Sequence, residues 1–448
     1  MLREFDYENL PIVEIVNEIV VDAIKKGASD IHFDPYENKL KVRIRIDGEL
    51  EDYAIVPNEL KKSITQRIKI IANMNITESR LPQDGAIKSN LENVDLDLRV
   101  SSLPLKDGEK IVIRILDYSM STQGLETLGF SEKNLEKVHK MIAVPNGIVL
   151  VTGATGTGKT TTVYSILQKL NTKNRNLVSV EDPIEMSIEG INQLQVMPDI
   201  GLTFGSALRS ILRQDPDIIM IGEIRDDETA KIAVRASITG HLVLSTLHTN
   251  NSLNTIERLL DMEVERYLLG SALTGIVSQR LARRVCPKCR QKRATTPYEK
   301  SIFKKVLKED INEIYTVNKD GCPDCMHGYK GRIAIQEVLM INQHVRDAIV
   351  NNVRKEELRA LVYGKSDVTT ILEDGLRKVV DGVTTFDEIL RVIDLESDFV
   401  DEDTMSLKSA LLGKETLPEE PQEKVEEILN IKPDNPVKEN TSVEVLDI

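Results

Sequence analysis

The chain has 448 residues, enough for about two to four domains at the usual size of roughly 100–200 residues each. Lys and Arg total 58 against 72 Asp and Glu, a net charge of −14 that argues against a dedicated nucleic-acid binder. Residues 401–448 hold 13 acids and 5 bases, so the preceding chain is only mildly acidic. No apolar run reaches the roughly 18 residues of a membrane span, and the first residues lack a signal-peptide pattern. The expectation is a cytoplasmic protein that meets a membrane only by docking there.

Residues 10–27 place apolar side chains at helical spacing and stop at Gly27. The next segment alternates, with Val42, Ile44 and Ile46 on one face and Lys41, Arg43 and Arg45 on the other. Asp47-Gly48 then reads as a hairpin turn. The same grammar recurs in VDLDLRV and EKIVIRIL around Asp107-Gly108, so residues 1–118 are expected to form an α/β domain with an antiparallel sheet. A Ser/Thr/Gly-containing stretch follows, and 119–134 is read as a linker.

From Asn146 the strands become continuous apolar runs: GIVLVTG, NLVSVEDP, DPDIIMIGE and GHLVLSTLH. Such runs suit a parallel sheet covered on both faces, with helices expected at 160–170 and 227–238. The second domain is placed at 135–396, with a cysteine-bearing insert at 284–332 and a mostly helical segment after it. The Glu- and Pro-rich stretch 397–448 reads as an acidic disordered tail.

Gly153, Ala154, Thr155, Gly156, Thr157, Gly158, Lys159 and Thr160 satisfy G-x-x-x-x-G-K-[ST] between a strand and a helix, with Thr161 opening that helix. Backbone N–H groups of such a loop curl around phosphate oxygens. Lys159 supplies charge to the β/γ-phosphates and Thr160 a hydroxyl for Mg2+, so ATP and Mg2+ are expected. A P-loop also needs a carboxylate at a neighbouring strand end. Glu223 follows Gly222 in DIIMIGEIRD, and Glu181-Asp182-Pro183-Ile184-Glu185 ends another strand. That second cluster reads as functional beside the P-loop, against the blander alternative of a solvated acidic loop. His241 and His248 flank LVLSTL; one is expected to sense the γ-phosphate and the other to be a bonded core histidine, with position alone not deciding.

All four cysteines fall in two pairs, Cys286 with Cys289 and Cys322 with Cys325. The spacing C-x2-C-x32-C-x2-C in a chain without an export signal reads as a closed, structural Zn2+ site rather than disulfides. Gly328, three residues after Cys325, suits the turn of a zinc knuckle.

Together the P-loop, the EDPIE box, IIMIGEIRD and TGHLVLSTLHTN resemble the ATPases of type II secretion and type IV pilus assembly. ASDIHFDP, RIRIDGEL, RLPQDGAI, DLRVSSLP and GCPDCMHGYKGR match as well, so the resemblance spans about residues 10–395. It implies an α/β fold with a RecA-like core, a PAS-like first domain and a zinc-binding insert. It further implies a cytoplasmic homo-hexamer at the inner face of the cell membrane, held there through an inner-membrane platform protein, with no direct nucleic-acid contact. By position Glu185 takes the water-activating role and Glu223 the Mg2+ side, and His248 of the histidine box is counted among the catalytic candidates. Arg99 and Arg114 take the role of first-domain arginines that reach the phosphates. The further N-terminal domain of many longer members has no counterpart in this reading. The cysteine pairs favour assembly or secretion over pilus retraction. A retraction or DNA-uptake motor is the alternative of the same class; a weakly catalytic scaffold is the alternative of another class, and ATP turnover separates it from a motor.

Overall fold

The structure is a computed structural model that describes residues 2–91, 94–115, 124–365 and 367–393. The expected acidic tail at 397–448 and the first part of the expected linker lie outside them.

The segment read from the sequence as the first domain runs α1 (Ile12–Lys25), β1 (Ala28–Tyr36), β2 (Lys39–Ile46), β3 (Glu49–Pro57), α2 (Asn58–Ile71), β4 (Gln83–Leu91), β5 (Val94–Leu105) and β6 (Gly108–Ile115). Its strands form one sheet in the order β3-β2-β1-β6-β5-β4, with every pairing antiparallel. The period-two pattern decides which face is covered: Leu40, Val42 and Ile44 are buried with Ile15, Ile19, Ile64 and Ile68 of the two helices. The opposite face carries Asp30 and Asp34 of β1, Arg43 and Arg45 of β2, and Lys110 and Arg114 of β6, paired with one another. Asp47 (φ 51°) and Gly48 (φ 92°) make the expected tight turn.

Among the residues read as linker, Leu125–Thr127 form a short 3-10 turn with Leu125 buried. Helix α3 (Glu132–Ile142) already begins inside that stretch, because the Ser131 side chain accepts the Asn134 N–H and caps it.

The second domain continues with β7 (Gly147–Thr152), α4 (Lys159–Leu170), β8 (Leu177–Glu181), β9 (Asn192–Gln195), α5 (Phe204–Ile211), β10 (Ile218–Ile221), α6 (Asp227–Ile238), β11 (Leu242–Leu247), α7 (Ser252–Asp261), α8 (Arg266–Ala272) and β12 (Leu273–Val285). Helices α4 and α6 fall where the sequence puts them. With the later strand β15 (Tyr329–Met340), the sheet order is β15-β12-β7-β11-β10-β8-β9. Strands β12 to β9 pair in parallel, whereas β15 is antiparallel to β12. Helices cover both faces: along β7, Ile148 and Leu150 join one core and Val149 and Val151 the other. That alternation of destinations is why the strand reads as one unbroken apolar run.

The insert contains β13 (Gln291–Ala294), α9 (Pro297–Val306) and β14 (Glu313–Thr316), and the chain then returns as β15 (Tyr329–Met340). Helices α10 (Gln343–Val350), α11 (Lys355–Lys365), α12 (Ile371–Val380) and α13 (Phe386–Val392) follow. The segment after the insert is mostly helical, as the sequence suggests, but β15 runs on to Met340 before the helices begin. The polar residues Gln336 and Glu337 of β15 interrupt the apolar run yet are buried. Asp374 of α12 accepts the Gln336 N–H, and Glu337 accepts the Ser252 N–H at the start of α7.

Candidate active site

The parallel strands β7, β10, β11 and β8 all end at one edge of the sheet, and a cavity of about 450 Å3 opens there. Residues Thr155 to Thr161 form one wall. At Gly153 (φ 150°) an added Cβ would sit 2.5 Å from both the Gln279 carbonyl oxygen and Thr157 Oγ1, so no side chain fits that close approach. The Lys159 ammonium donates to the carbonyls of Gly153 and Ala154, each at 2.9 Å. Burial lowers the Lys159 pKa, with the nearby Glu223 carboxylate opposing. The loop is braced from β12, where Gln279 Nε2 donates to the Thr157 carbonyl (2.8 Å) and Gln279 Oε1 accepts from Thr162 (2.9 Å).

The opposite wall holds the carboxylates. Glu223, just past β10, is paired with Arg225 and lies 3.2 Å from His248 Nε2. Burial disfavours its ionised form, but Arg225 and then His248 outweigh it and hold the Glu223 carboxyl below its ordinary range. Arg225 also reaches Asp182 at 3.5 Å. Glu185 lines the cavity and pairs with Arg99 of the first domain at 3.1 Å. Arg99 also donates to the Ile184 carbonyl at 2.8 Å. Arg114 lines the cavity directly and is tied to Asp30 of its own sheet at 3.3 Å.

The structure therefore gathers Lys159, Thr160, Thr161, Glu185, Glu223, His248 and Arg114 around one cavity, with Arg99 held to it through Glu185. The two histidines separate: His241 bonds the Ala236 carbonyl at 2.9 Å, before the first residue of β11, and His248 follows the last. Glu181 touches the cavity but is 3% exposed and engaged by Tyr164, Ser179 (2.5 Å) and Gln193 (3.0 Å). Burial, then the Glu181 charge, pushes the Tyr164 hydroxyl pKa up, so it stays a donor. Sequence reasoning missed Arg225, Gln279 and Arg332, all of which border or brace the cavity. Arg225 lies two residues past Glu223 inside a quoted motif and was findable; Gln279 is 122 residues from its partner and carried no local signal.

The cavity fits a nucleoside triphosphate with Mg2+ in donor chemistry. The P-loop amides and Lys159 suit phosphate oxygens, and the Thr160 hydroxyl with the Glu223 carboxylate suits a hard cation.

The four cysteines converge at the end of β12 and before β15, with ligand sulfurs all within 4.8 Å of one another. Cys286 and Cys322 sulfurs are 3.8 Å apart, and Cys289 and Cys325 are 3.6 Å apart. A tetrahedral site with about 2.3 Å metal–sulfur bonds needs sulfurs about 3.8 Å apart, so the cluster fits one thiolate-bound metal ion. Burial acts against the Cys286 thiolate, but the Lys288 and Cys289 N–H groups outweigh it and draw the thiol down to about 7. Gly328 takes φ 81°, and a Cβ there would lie 2.6 Å from the Asn318 oxygen, as the knuckle turn requires.

The family described as type II/IV secretion system protein matches residues 6–391. The type II secretion system ATPase E of Vibrio cholerae is 41% identical over 386 residues, which cover 86% of this chain and 76% of that protein. The type IV pilus assembly ATPase PilB of Myxococcus xanthus is 46% identical over 387 residues, covering 86% and 68%. Among solved structures, the pilus retraction motor PilT with bound ADP matches with a TM-score of 0.58 at 25% identity, covering 88% of this chain and 98% of that one. The cavity, the order of its motifs and these matches agree: the chain belongs to the type II/IV secretion system protein family and is one of its ATP-hydrolysing enzymes.

Proposed function

We propose that the chain is a motor ATPase that powers type IV pilus assembly or type II secretion through an inner-membrane platform protein. It works as a homo-hexameric ring in the cytoplasm, at the inner face of the cell membrane. The observation that carries this reading is that one cavity joins a P-loop on the second domain to arginines of the first. Hydrolysis there has a route into relative movement of two domains. The four-cysteine cluster supports the assembly or secretion branch and is read as a Zn2+ site that shapes the insert.

In this reading the P-loop amides and Lys159 bind the β/γ-phosphates of ATP. When bound beside Thr160 and Glu223, Mg2+ neutralises charge on the phosphate oxygens. Glu185 accepts a proton from, or orients, the attacking water. His248, held by Glu223, reports on the γ-phosphate end of the cavity. Arg114 stabilises charge building on the transferred group, and Arg99 sets the Glu185 carboxylate.

The test compares Lys159→Ala with Glu185→Gln in nucleotide binding and steady-state hydrolysis. Lys159→Ala should lose both. Glu185→Gln should keep binding while hydrolysis falls by roughly 10²–10⁴. Wild-type hydrolysis in Glu185→Gln would move the role to Glu223.

A further inference from the structure

Among the described residues, hydrogen bonds and ion pairs join the first domain to the second at two separated places. At one, Arg99 on β5 holds the Ile184 carbonyl and Glu185. At the other, the tip of the β2–β3 hairpin lies where β15 leaves the four-cysteine module. Asp47 Oδ2 accepts the Gly331 N–H at 2.7 Å, and its Oδ1 is 3.9 Å from Arg332 Nε. Glu49 reaches Arg391 at 2.9 Å and Arg283 at 3.6 Å. Glu51 lies 3.6 Å from His327, in the loop after Cys325.

Both sides of this contact are prepared for it. The left-handed residues Asp47 and Gly48 make a two-residue turn that fixes one carboxylate at the hairpin tip. Glu49 and Glu51, two apart on β3, share a face. Opposite them, Arg283 and Arg391 are held at 2.7 Å by Glu388, whose side chain is fully buried. Arg283 also stacks over the Tyr329 ring at 4.1 Å. The cations are thus set in place by the second domain, yet each reaches the first.

One contact alone would leave the sheet free to swing. The hairpin and β5 lie in opposite halves of the sheet, and β6 with Arg114 runs between them. Arg114 is tied to Asp30 of its own sheet, so its place at the cavity follows wherever that sheet sits. Gly331, the anchor for Asp47, directly precedes Arg332, which lines the same cavity.

We propose that Asp47 and Glu49 are positioning residues: an acidic clip on the β2–β3 hairpin that fastens the first domain to β15 and α13 and holds Arg114 at the nucleotide cavity. This deepens the proposed function and rests on its reading of Arg114. The ion pairs are partly exposed and individually weak, so the clip opens and closes reversibly and weakens with salt.

The test is the Asp47→Asn/Glu49→Gln double variant of the full chain, with and without Arg114→Ala. Hydrogen exchange is followed in peptides covering 46–51 and 329–332, alongside ATP turnover and a nucleotide-binding titration. Exchange should quicken in both peptides, and turnover should fall about tenfold while nucleotide affinity stays within about twofold. In the Arg114→Ala background the same substitutions should cause no further fall. Glu49→Asp alone should keep most of the turnover. Unchanged exchange overturns the clip, and an additive fall in the Arg114→Ala background overturns its action through Arg114. Wild-type turnover in Arg114→Ala with quickened exchange in the double variant would retire the catalytic reading of Arg114 and leave the clip standing.

Discussion

Glu181 and Glu185 stand four residues apart in one acidic box, and the fold gives them different work. Glu181 ends β8 pointing inward, where Tyr164, Ser179 and Gln193 all offer it hydrogen bonds. Glu185 lies beyond Pro183 at the cavity, facing Arg99. A carboxylate so fully engaged has its oxygens taken up by the fold, whereas one that lines the cavity beside an arginine is open to a substrate. Glu181→Gln turns an amide donor toward groups that are themselves donors and should destabilise the protein by about 1–3 kcal/mol. Glu185→Gln should change stability by no more than about 0.5 kcal/mol. Urea denaturation of both variants checks this; equal midpoints would mean that Glu181 is not the structural member of the box.

At the scale of elements, the four-cysteine module is a separable prediction. Four thiolates from two turns would close the shell of a bound ion, whose contribution would then be to folding. The purified protein should hold one Zn2+ per chain by elemental analysis. Chelation should expose residues 285–329 to protease while the P-loop domain still binds nucleotide. Protein that holds no zinc, or whose insert resists protease after chelation, would contradict this. The cysteines were legible because their spacing is local, as were β7, β8, β10 and β11, whose residues are mostly apolar and all buried. Strands β12 and β15 were not. Gln279, Arg280 and Arg283 break the pattern in one, and Gln336 and Glu337 break it in the other. Three of those polar residues are satisfied by distant partners: Glu388 for Arg283, Ser252 for Glu337, and Thr157 for Gln279. No window of sequence contains both halves of such a pair. For the same reason Lys159, Glu223 and His248 could be found from motifs, whereas the bracing of the cavity could not.

For the whole molecule, the arginines of the first domain are the sharpest expectation. Arg114→Ala should slow hydrolysis far more than it weakens binding, toward the arginine-finger scale of about 10³–10⁵ in the best cases. Lysine should rescue poorly, lacking the planar fork that grips phosphate oxygens. If rings complete the site, turnover per chain should rise with protein concentration and level off as the hexamer forms, followed by light scattering in parallel. Constant turnover from dilute monomer upward would show that a single chain suffices.

Strand β12 has a mechanical consequence. At Gln279 it holds the Thr157 carbonyl of the phosphate-binding loop, and seven residues later it delivers Cys286 to the cysteine cluster. At about 3.3 Å per residue those points are about 23 Å apart along one strand. Strand β7 flanks its first half and β15 nearly all of it. Stretching or shearing that strand breaks hydrogen bonds to β15, so a push at the phosphates is carried toward the cysteines, through the register shift between Arg283 and Val285. Loop, strand and metal module form one stiff lever. The give in the machine then lies where no ladder crosses, at the seam between that lever and the sheet of the first domain.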